Sequence, residues 1–103
     1  MFKDKYAIID FKNLIKDVDL DVIIETGTKE GESTIELKKY CKFVHTIELL
    51  PHFSKTAQKN FNKVWPNDKE SCKFWIGDTR DKLKEVLNTI TKNQNVLFFF
   101  RCS

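Results

Sequence analysis

Glycine, proline and cysteine are scarce in this sequence of 103 residues, which has three glycines, two prolines and three cysteines. No Gly/Ser-rich linker, internal repeat or low-complexity tract divides the chain, so we expect one compact soluble domain. Cys41, Cys72 and Cys102 are odd in number and form no Cys-x-x-Cys pair, which excludes the patterns of a disulfide framework and of a zinc site. We therefore predict reduced, mostly buried thiols.

Long apolar runs and blocks of one charge are absent as well. A run such as Val96–Phe100 is far shorter than the roughly 20 residues of a membrane-spanning helix. The sequence opens with Met-Phe-Lys-Asp-Lys and lacks the apolar stretch of a secretory signal, so we expect a cytoplasmic protein. The net charge of +3 comes from lysines scattered along the chain, most of them near an acidic residue, and indicates no nucleic-acid surface.

The sequence does contain short apolar segments, which alternate with segments of helical spacing. Hydrophobic residues make up 41% of the chain, and its nine Phe supply bulky material for one modest core. Four runs rich in β-branched and aromatic residues predict strands, and three of them are nearly continuously apolar, as in strands covered on both faces. The predicted strands are Asp21–Thr26, Phe43–Glu48, Lys73–Ile76 and Val96–Phe100.

Segments with helical spacing separate these strands. Ser33 and Glu36 fit a capping box for a first helix, Pro51 suits the first turn of a second, and Asp81 is a candidate cap for a third. An N-terminal helical segment is predicted over residues 1–20, before a core over residues 21–100. This order predicts an α/β fold with a Rossmann-like parallel sheet of about four strands. The apolar positions of the N-terminal and third helices are Phe11, Leu14, Ile15, Leu83, Val86, Leu87 and Ile90.

Ligands bind such a sheet outside the carboxyl ends of its strands, so the residues that follow each strand form the candidate site. The first strand ends in Glu25, and Gly27 and Gly31 in the next loop allow a tight turn and close approach of a carboxylate or phosphate. Glu48 ends the second strand about 20 residues beyond the glycines, a spacing that fits an acidic side chain binding ribose hydroxyls. Asp78 follows the third strand, where its carboxylate can accept from a nucleobase amine.

Each of these residues also has a purely structural interpretation. The two glycines also fit a plain turn before a helix, Glu48 complements a helix dipole, and Asp78 or Thr79 caps the third helix. Three carboxylates at one edge suit a ligand with a positive charge, an amine and ribose hydroxyls. The loop lacks the Gly-x4-Gly-Lys-[Ser/Thr] motif of a nucleoside-triphosphate site. His45 and His52, beside the second strand end, are predicted to be surface or packed side chains.

The order of these motifs resembles a known family. The run E-T-G-T-x-x-G-x-S-T from Glu25, the H-T-I-E ending at Glu48 and the G-D-T turn at Asp78 are similar to class I S-adenosylmethionine-dependent methyltransferases, over about residues 21–100. The resemblance implies S-adenosylmethionine as cofactor, with its methionine part on the loop, its ribose on Glu48 and its adenine near Asp78. The implied cofactor-binding residues are Glu25, Thr26, Gly27, Thr28, Gly31, Ser33, Glu48, Leu49, Asp78 and Thr79.

The resemblance ends at the fourth strand. Members of this subgroup commonly follow that strand with an Asp, often within Asp-Ala-His, on the substrate or metal side of the site, whereas Arg101, Cys102 and Ser103 follow here. A guanidinium stays protonated and serves neither as a base nor as a metal ligand. We therefore expect the cofactor-binding half of a seven-stranded fold, with no metal site, no assigned catalytic residue or methyl acceptor, and no activity of this chain alone.

Two other functions stay open. A non-catalytic remnant would keep the half-fold as an interaction module, and a dinucleotide-binding half domain would use Glu48 in the same way, with one glycine fewer than G-x-G-x-x-G in its loop. The fourth strand would have an unpaired side with three consecutive Phe. This pattern predicts a marginally stable chain, a piece of a longer protein, or a homo-oligomer that forms through Val96–Phe100.

Overall fold

The computed structural model describes residues 19–100 of the chain. The predicted helix around Phe11, Leu14 and Ile15 lies outside these residues, as do Cys102 and the other two residues at the end of the sequence. Of the predicted segment 1–20, only the last two residues are described, and the second of them, Leu20, begins the first strand.

Four strands alternate with three α-helices, as the sequence predicts. β1 spans Leu20–Thr26, α1 Glu32–Leu37, β2 Cys41–Glu48, α2 Pro51–Val64, β3 Cys72–Ile76, α3 Thr79–Leu87 and β4 Val96–Phe100, and short 3-10 helices span Lys38–Tyr40 and Lys69–Ser71. Within residues 19–100, none of the helices combines the length and the apolar character that crossing a bilayer requires.

The strands form one parallel sheet in the order β3-β2-β1-β4. β1 lies inside the sheet, pairing with β2 from Leu20↔Cys41 to Thr26↔Ile47 and with β4 from Val22↔Val96 to Thr26↔Phe100. Its apolar residues are buried because neighbouring strands and helices enclose both its edges and both its faces. The Rossmann-like sheet is therefore confirmed, and the strand order reverses beside β1, where such sheets bind their ligands.

A hydrophobic cluster packs on each face of the sheet. On one face Ile23 and Val44 contact Leu37 of α1 and Phe61 of α2. On the other, Ile24 and Ile47 pack with Val86 of α3. The outer strands β3 and β4 are only partly covered, so the sheet is best packed around the ends of β1 and β2.

The starts of two helices differ from the sequence prediction. α1 begins at Glu32 with Gly31 in the cap position, and the Ser33 hydroxyl donates to the buried Glu25 carboxylate instead of forming a capping box. α3 is capped three residues before Asp81, by Asp78, whose carboxylate accepts from a backbone N–H. The two corrections have different causes, because Ser33 is taken by a partner from another element, whereas Asp78 is a local cap that begins the helix earlier.

Gly31 sets the closest approach between the loop after β1 and α2. Its φ of 87° lies in the left-handed region, and a Cβ built on it would lie 2.9 Å from the Cβ and 3.0 Å from the Cα of Ala57. A glycine is required here both by the backbone conformation and by the missing space.

Gly31→Ala should lower the free energy of unfolding by about 1–3 kcal/mol, because it adds a clash with helix backbone to a strained φ. Urea unfolding measures the change, with the neighbouring exposed position as a control, since Glu30→Ala should stay within about 0.5 kcal/mol of the parent. Adding Ala57→Gly to Gly31→Ala should recover part of the loss. Equal stabilities of the Gly31 and Glu30 variants would contradict the close packing.

Candidate functional site

The carboxyl ends of the parallel strands bring the predicted motifs to one edge of the sheet. β1 ends in Glu25 and Thr26, β2 in Glu48, and β3 in Ile76 before Gly77. The loop of residues 27–31, here called the glycine loop, leaves β1 toward β2, since Gly27 N–H donates to the carbonyl of Ile47 at 2.8 Å. The site is therefore built on three adjacent strands.

Glu25 is fully buried at the end of the central strand. Its Oε1 accepts from the hydroxyls of Thr34 at 2.5 Å and Thr46 at 2.7 Å, and its Oε2 accepts from Ser33. A buried carboxylate requires such donors, because leaving water is costly for a charged group. Glu25 and Ser33, both predicted as cofactor contacts, thus lie beneath the surface of the site in this structure.

Glu48 reaches the edge with both carboxylate oxygens held by backbone groups. Oε1 accepts from Lys29 N–H of the glycine loop at 2.6 Å, and Oε2 accepts from Leu50 N–H at 3.0 Å. Lys29 has a φ of 49°, unusual for a residue with a side chain, and its bond to Glu48 stabilises that conformation. Glu48 is 6% exposed, and it fixes the glycine loop from the end of β2.

Asp78 lies at the start of α3, half exposed. Its Oδ1 accepts from Arg80 N–H at 2.8 Å and lies 3.4 Å from Arg80 Nε. The backbone hydrogen bond from Arg80 and the nearby guanidinium hold the pKa of Asp78 below its ordinary value, so this carboxylate is ionised at neutral pH. The structure therefore shows the alternative that the sequence offered for Asp78, a cap of α3. Thr79 is the first residue of that helix.

The remaining predicted site residues divide into a buried group and an exposed one. Thr26 and Thr28 are buried, Gly27 has a φ of 79° at the turn, and Leu49 is 63% exposed directly after Glu48. The structure thus brings Gly27, Thr28, Glu48 and Leu49 together around the first loop.

Exposed apolar side chains at this edge were missed by sequence reasoning. Ile76 ends β3 and is 41% exposed, Phe100 ends β4 and is 58% exposed, and Leu50 follows β2. Ile76 pairs in register with Glu48, so its side chain borders the carboxylate. Their position as the last apolar residues of the strands is the signal that could have identified them.

Three cavities of the described residues lie away from these carboxylates. Their volumes are about 580, 290 and 360 Å³, and their linings include neither Glu48 nor Asp78. Among residues 19–100, no group of three or more His, Cys, Asp or Glu is arranged to hold a metal ion. The candidate site is therefore defined by the groups at the strand ends.

The sequence is similar to curated methyltransferases over part of their length, and no family model matches it. It is 33% identical over 72 residues, 70% of the chain, to the probable cobalt-precorrin-6B C(15)-methyltransferase (decarboxylating) of Methanocaldococcus jannaschii. The Methanococcus vannielii protein of the same name is 31% identical over 61 residues, 59% of the chain. These matches cover 38% and 32% of the two relatives, so the chain spans about a third of their length.

A solved structure extends the likeness to nearly the whole chain. The O-methyltransferase from Bacillus cereus in complex with SAH superimposes with a TM-score of 0.77 at 20% identity, covering 96% of this chain and 45% of that protein. The chain has the class I S-adenosylmethionine-dependent methyltransferase fold. The resemblance read from the motifs is thereby confirmed for the fold, and Glu48 ends the second strand of this methyltransferase fold.

His45 is buried in β2 of the methyltransferase fold, away from the strand ends. Its Nδ1 accepts from Trp75 Nε1–H at 3.0 Å, so in the neutral ring Nε2 carries the proton and faces Thr89 Oγ1 at 3.4 Å. Burial, with the nearby charge of Lys73, lowers the pKa of His45 to about 4. His45 is thus a packed, neutral side chain in the structure.

The protein should lose stability as the pH falls from about 6.5 to about 4. Over this window the unfolded chain takes up a proton at His45, whereas the folded protein stays neutral there until its pKa of about 4. The unfolded state binds more protons, so the free energy of unfolding decreases with falling pH, by up to about 3 kcal/mol at about 1.4 kcal/mol per pKa unit.

Urea unfolding of the parent and of His45→Gln across this pH range measures the effect. Gln keeps an acceptor for Trp75 but does not titrate, so the variant should lose markedly less stability over the window. Carboxylates such as Asp78 titrate in both proteins, so their contributions to the loss of stability cancel in the comparison. Equal losses of stability in the two proteins would show that His45 does not cause the pH dependence of the free energy of unfolding.

Proposed function

We propose that this chain binds S-adenosylmethionine at the carboxyl edge of its sheet and forms the cofactor-binding part of a methyltransferase. The observation that carries the proposal is Glu48, whose carboxylate stands at the end of β2 in a methyltransferase fold, tied to the glycine loop through Lys29 N–H at 2.6 Å. The methyltransferase names of the relatives, and the SAH in the Bacillus cereus structure, support it.

The residues at the edge fit the parts of this cofactor. An ionised carboxylate accepts at about four lone-pair positions, and backbone N–H groups use two of them at Glu48, which leaves acceptors for two ribose hydroxyls. Leu49 and Ile76 offer exposed apolar surface for the adenine ring, beside the ionised Asp78 that can accept from its amine. The backbone of Gly27 has no side chain to separate it from the methionine part.

Glu25, Ser33 and Thr28 enter this proposal as supports of the loop, because all three are at most 1% exposed, whereas Glu48 is 6% exposed. When bound, S-adenosylmethionine supplies an activated methyl group on a sulfonium. The chain's own contribution is to hold the cofactor in one orientation, which is the main source of rate in a transfer from an activated donor. The relatives are named as C(15)-methyltransferases and the structural neighbour as an O-methyltransferase, so the proposal includes no acceptor.

Glu48→Ala should weaken the binding of S-adenosylhomocysteine by at least about tenfold, because it removes the ribose acceptor and frees Lys29 N–H. Isothermal titration calorimetry measures the affinity. Glu70→Ala, which removes an exposed carboxylate just before the amino end of β3, away from the site at the carboxyl ends, is the matched control and should bind like the parent.

NADH titrated in parallel tests the dinucleotide-binding alternative. Binding of S-adenosylhomocysteine without binding of NADH supports the proposal. Binding of NADH alone would replace it with the dinucleotide half domain, and binding of neither would favour the non-catalytic interaction module.

A second candidate function, self-association through β4, rests on the position of β4 at the edge of the sheet that the structure describes. Among the described residues, β4 pairs with β1 alone, and Phe98 and Phe100 are exposed with their rings stacked at 5.8 Å between centroids. Val96–Phe100 contains no charge or proline of the kind that protects edge strands. A second copy of this chain fits the edge, because two antiparallel β4 strands would offer each other the same apolar stripe with the exposed Phe98 and Phe100.

Phe98→Lys should shift the protein toward monomer, because it places a charge at the centre of the pairing strand. Analytical ultracentrifugation over a concentration series measures the shift in the dimer dissociation constant, expected to be at least about tenfold. Leu87→Lys is the control, since Leu87 is similarly exposed but lies on α3. A parent protein that stays monomeric across the series would contradict this candidate.

A further inference from the structure

A chain of buried hydroxyls connects the glycine loop to Glu25 through β2. Thr28 Oγ1 lies 2.6 Å from Thr46 Oγ1, and Thr46 Oγ1 donates to Glu25 Oε1 at 2.7 Å. Thr46 and Glu25 are fully buried and Thr28 is 1% exposed, so water does not replace these bonds when one is removed. The three groups form a continuous link between a carboxylate inside the fold and the loop at its surface.

The direction of donation in this link follows from the number of protons. A threonine hydroxyl has one proton, and that of Thr46 is directed at the carboxylate. The bond between the two threonines therefore uses the proton of Thr28, which donates to Thr46. Each hydroxyl has one orientation, and the relay from Thr28 through Thr46 to Glu25 is polarised toward the carboxylate, which strengthens its bonds.

Three successive residues of β2 hold three successive residues of the loop. Thr46 accepts from the Thr28 side chain, the Ile47 carbonyl accepts from Gly27 N–H at 2.8 Å, and Glu48 accepts from Lys29 N–H at 2.6 Å. The Thr46 side chain is fully buried, so it cannot contact a ligand and can act only through the loop.

We propose that Thr46 is a positioning residue, whose hydroxyl relay from Thr28 to Glu25 sets the conformation in which the glycine loop binds the methionine part of the cofactor. The inference rests on the proposed function, and its effect on the unliganded loop can be measured separately. The proposal gives a buried side chain of β2 a role in binding at the surface of the protein.

The test compares Thr46→Val with Thr46→Ser. Valine keeps the shape but leaves Thr28 Oγ1 and Glu25 Oε1 each without one buried partner, so S-adenosylhomocysteine should bind about tenfold more weakly by calorimetry. Serine keeps the hydroxyl and should restore the affinity to within about threefold of the parent. Val44→Ala is the matched control, because it shortens a buried side chain of the same strand without touching the loop.

Amide hydrogen exchange of the unliganded proteins gives the second readout. Thr46→Val should accelerate exchange at Gly27 and Lys29 by at least about tenfold more than Val44→Ala does, when both are corrected for global stability. Thr28→Val breaks the relay at its other end and should reproduce both effects. It replaces Thr46→Val in the test if that variant folds poorly. Because the relay acts as a unit, the double variant should lose no more affinity than either single one.

Equal effects of Thr46→Val and Val44→Ala on the loop amides, or no rescue by Thr46→Ser, would overturn the positioning role. If the parent does not bind S-adenosylhomocysteine, the proposed function fails, while the exchange data still decide whether the relay orders the loop. If the parent binds and Thr46→Val binds equally well, the inference fails and the proposed function stands.

Discussion

The burial of the Glu25 carboxylate is the constraint on which the rest of the site depends. A charged group enclosed at the end of the central strand must be surrounded by donors, and Ser33, Thr34 and Thr46 provide hydroxyls from α1 and β2. Satisfying one carboxylate therefore fixes where the first helix begins and how it sits against the second strand. The glycine loop connects β1 to α1 and is hydrogen-bonded to β2, so both of its ends are positioned before any ligand binds.

This arrangement divides two tasks between the acidic residues at the strand ends. Glu25 organises the interior, whereas Glu48 ends β2 only 6% exposed, with both oxygens already held by Lys29 N–H and Leu50 N–H. A carboxylate restrained in this way loses little conformational freedom when it accepts further hydrogen bonds, which favours binding. The bond that orders the loop thus also preorganises the acceptor.

Most of the fold could be predicted from sequence because apolar runs such as Val96–Phe100 specify buried or edge strands locally, and this strand has the predicted bounds. The cap at Ser33 was wrong because the buried Glu25 competes for its hydroxyl through the fold, and the cap at Asp81 was wrong because Asp78, the alternative cap, starts the helix earlier. In the site, the edge position of Glu48 follows from parallel topology alone. The role of Thr46 does not follow from the topology, since only the β1–β2 register places it opposite Glu25.

The same register separates the site from the open edge of the sheet. The backbone bonds of Gly27, Thr28 and Lys29 described above all lead to β2, on the opposite side of β1 from β4. β4 supports the site through its packing on β1, and its outer edge supplies none of these bonds. A strand added beyond β4, or a charge placed at Phe98, would therefore leave the supports of the loop intact. The proposed cofactor binding and the proposed association through β4 can for this reason be tested separately on one four-stranded sheet.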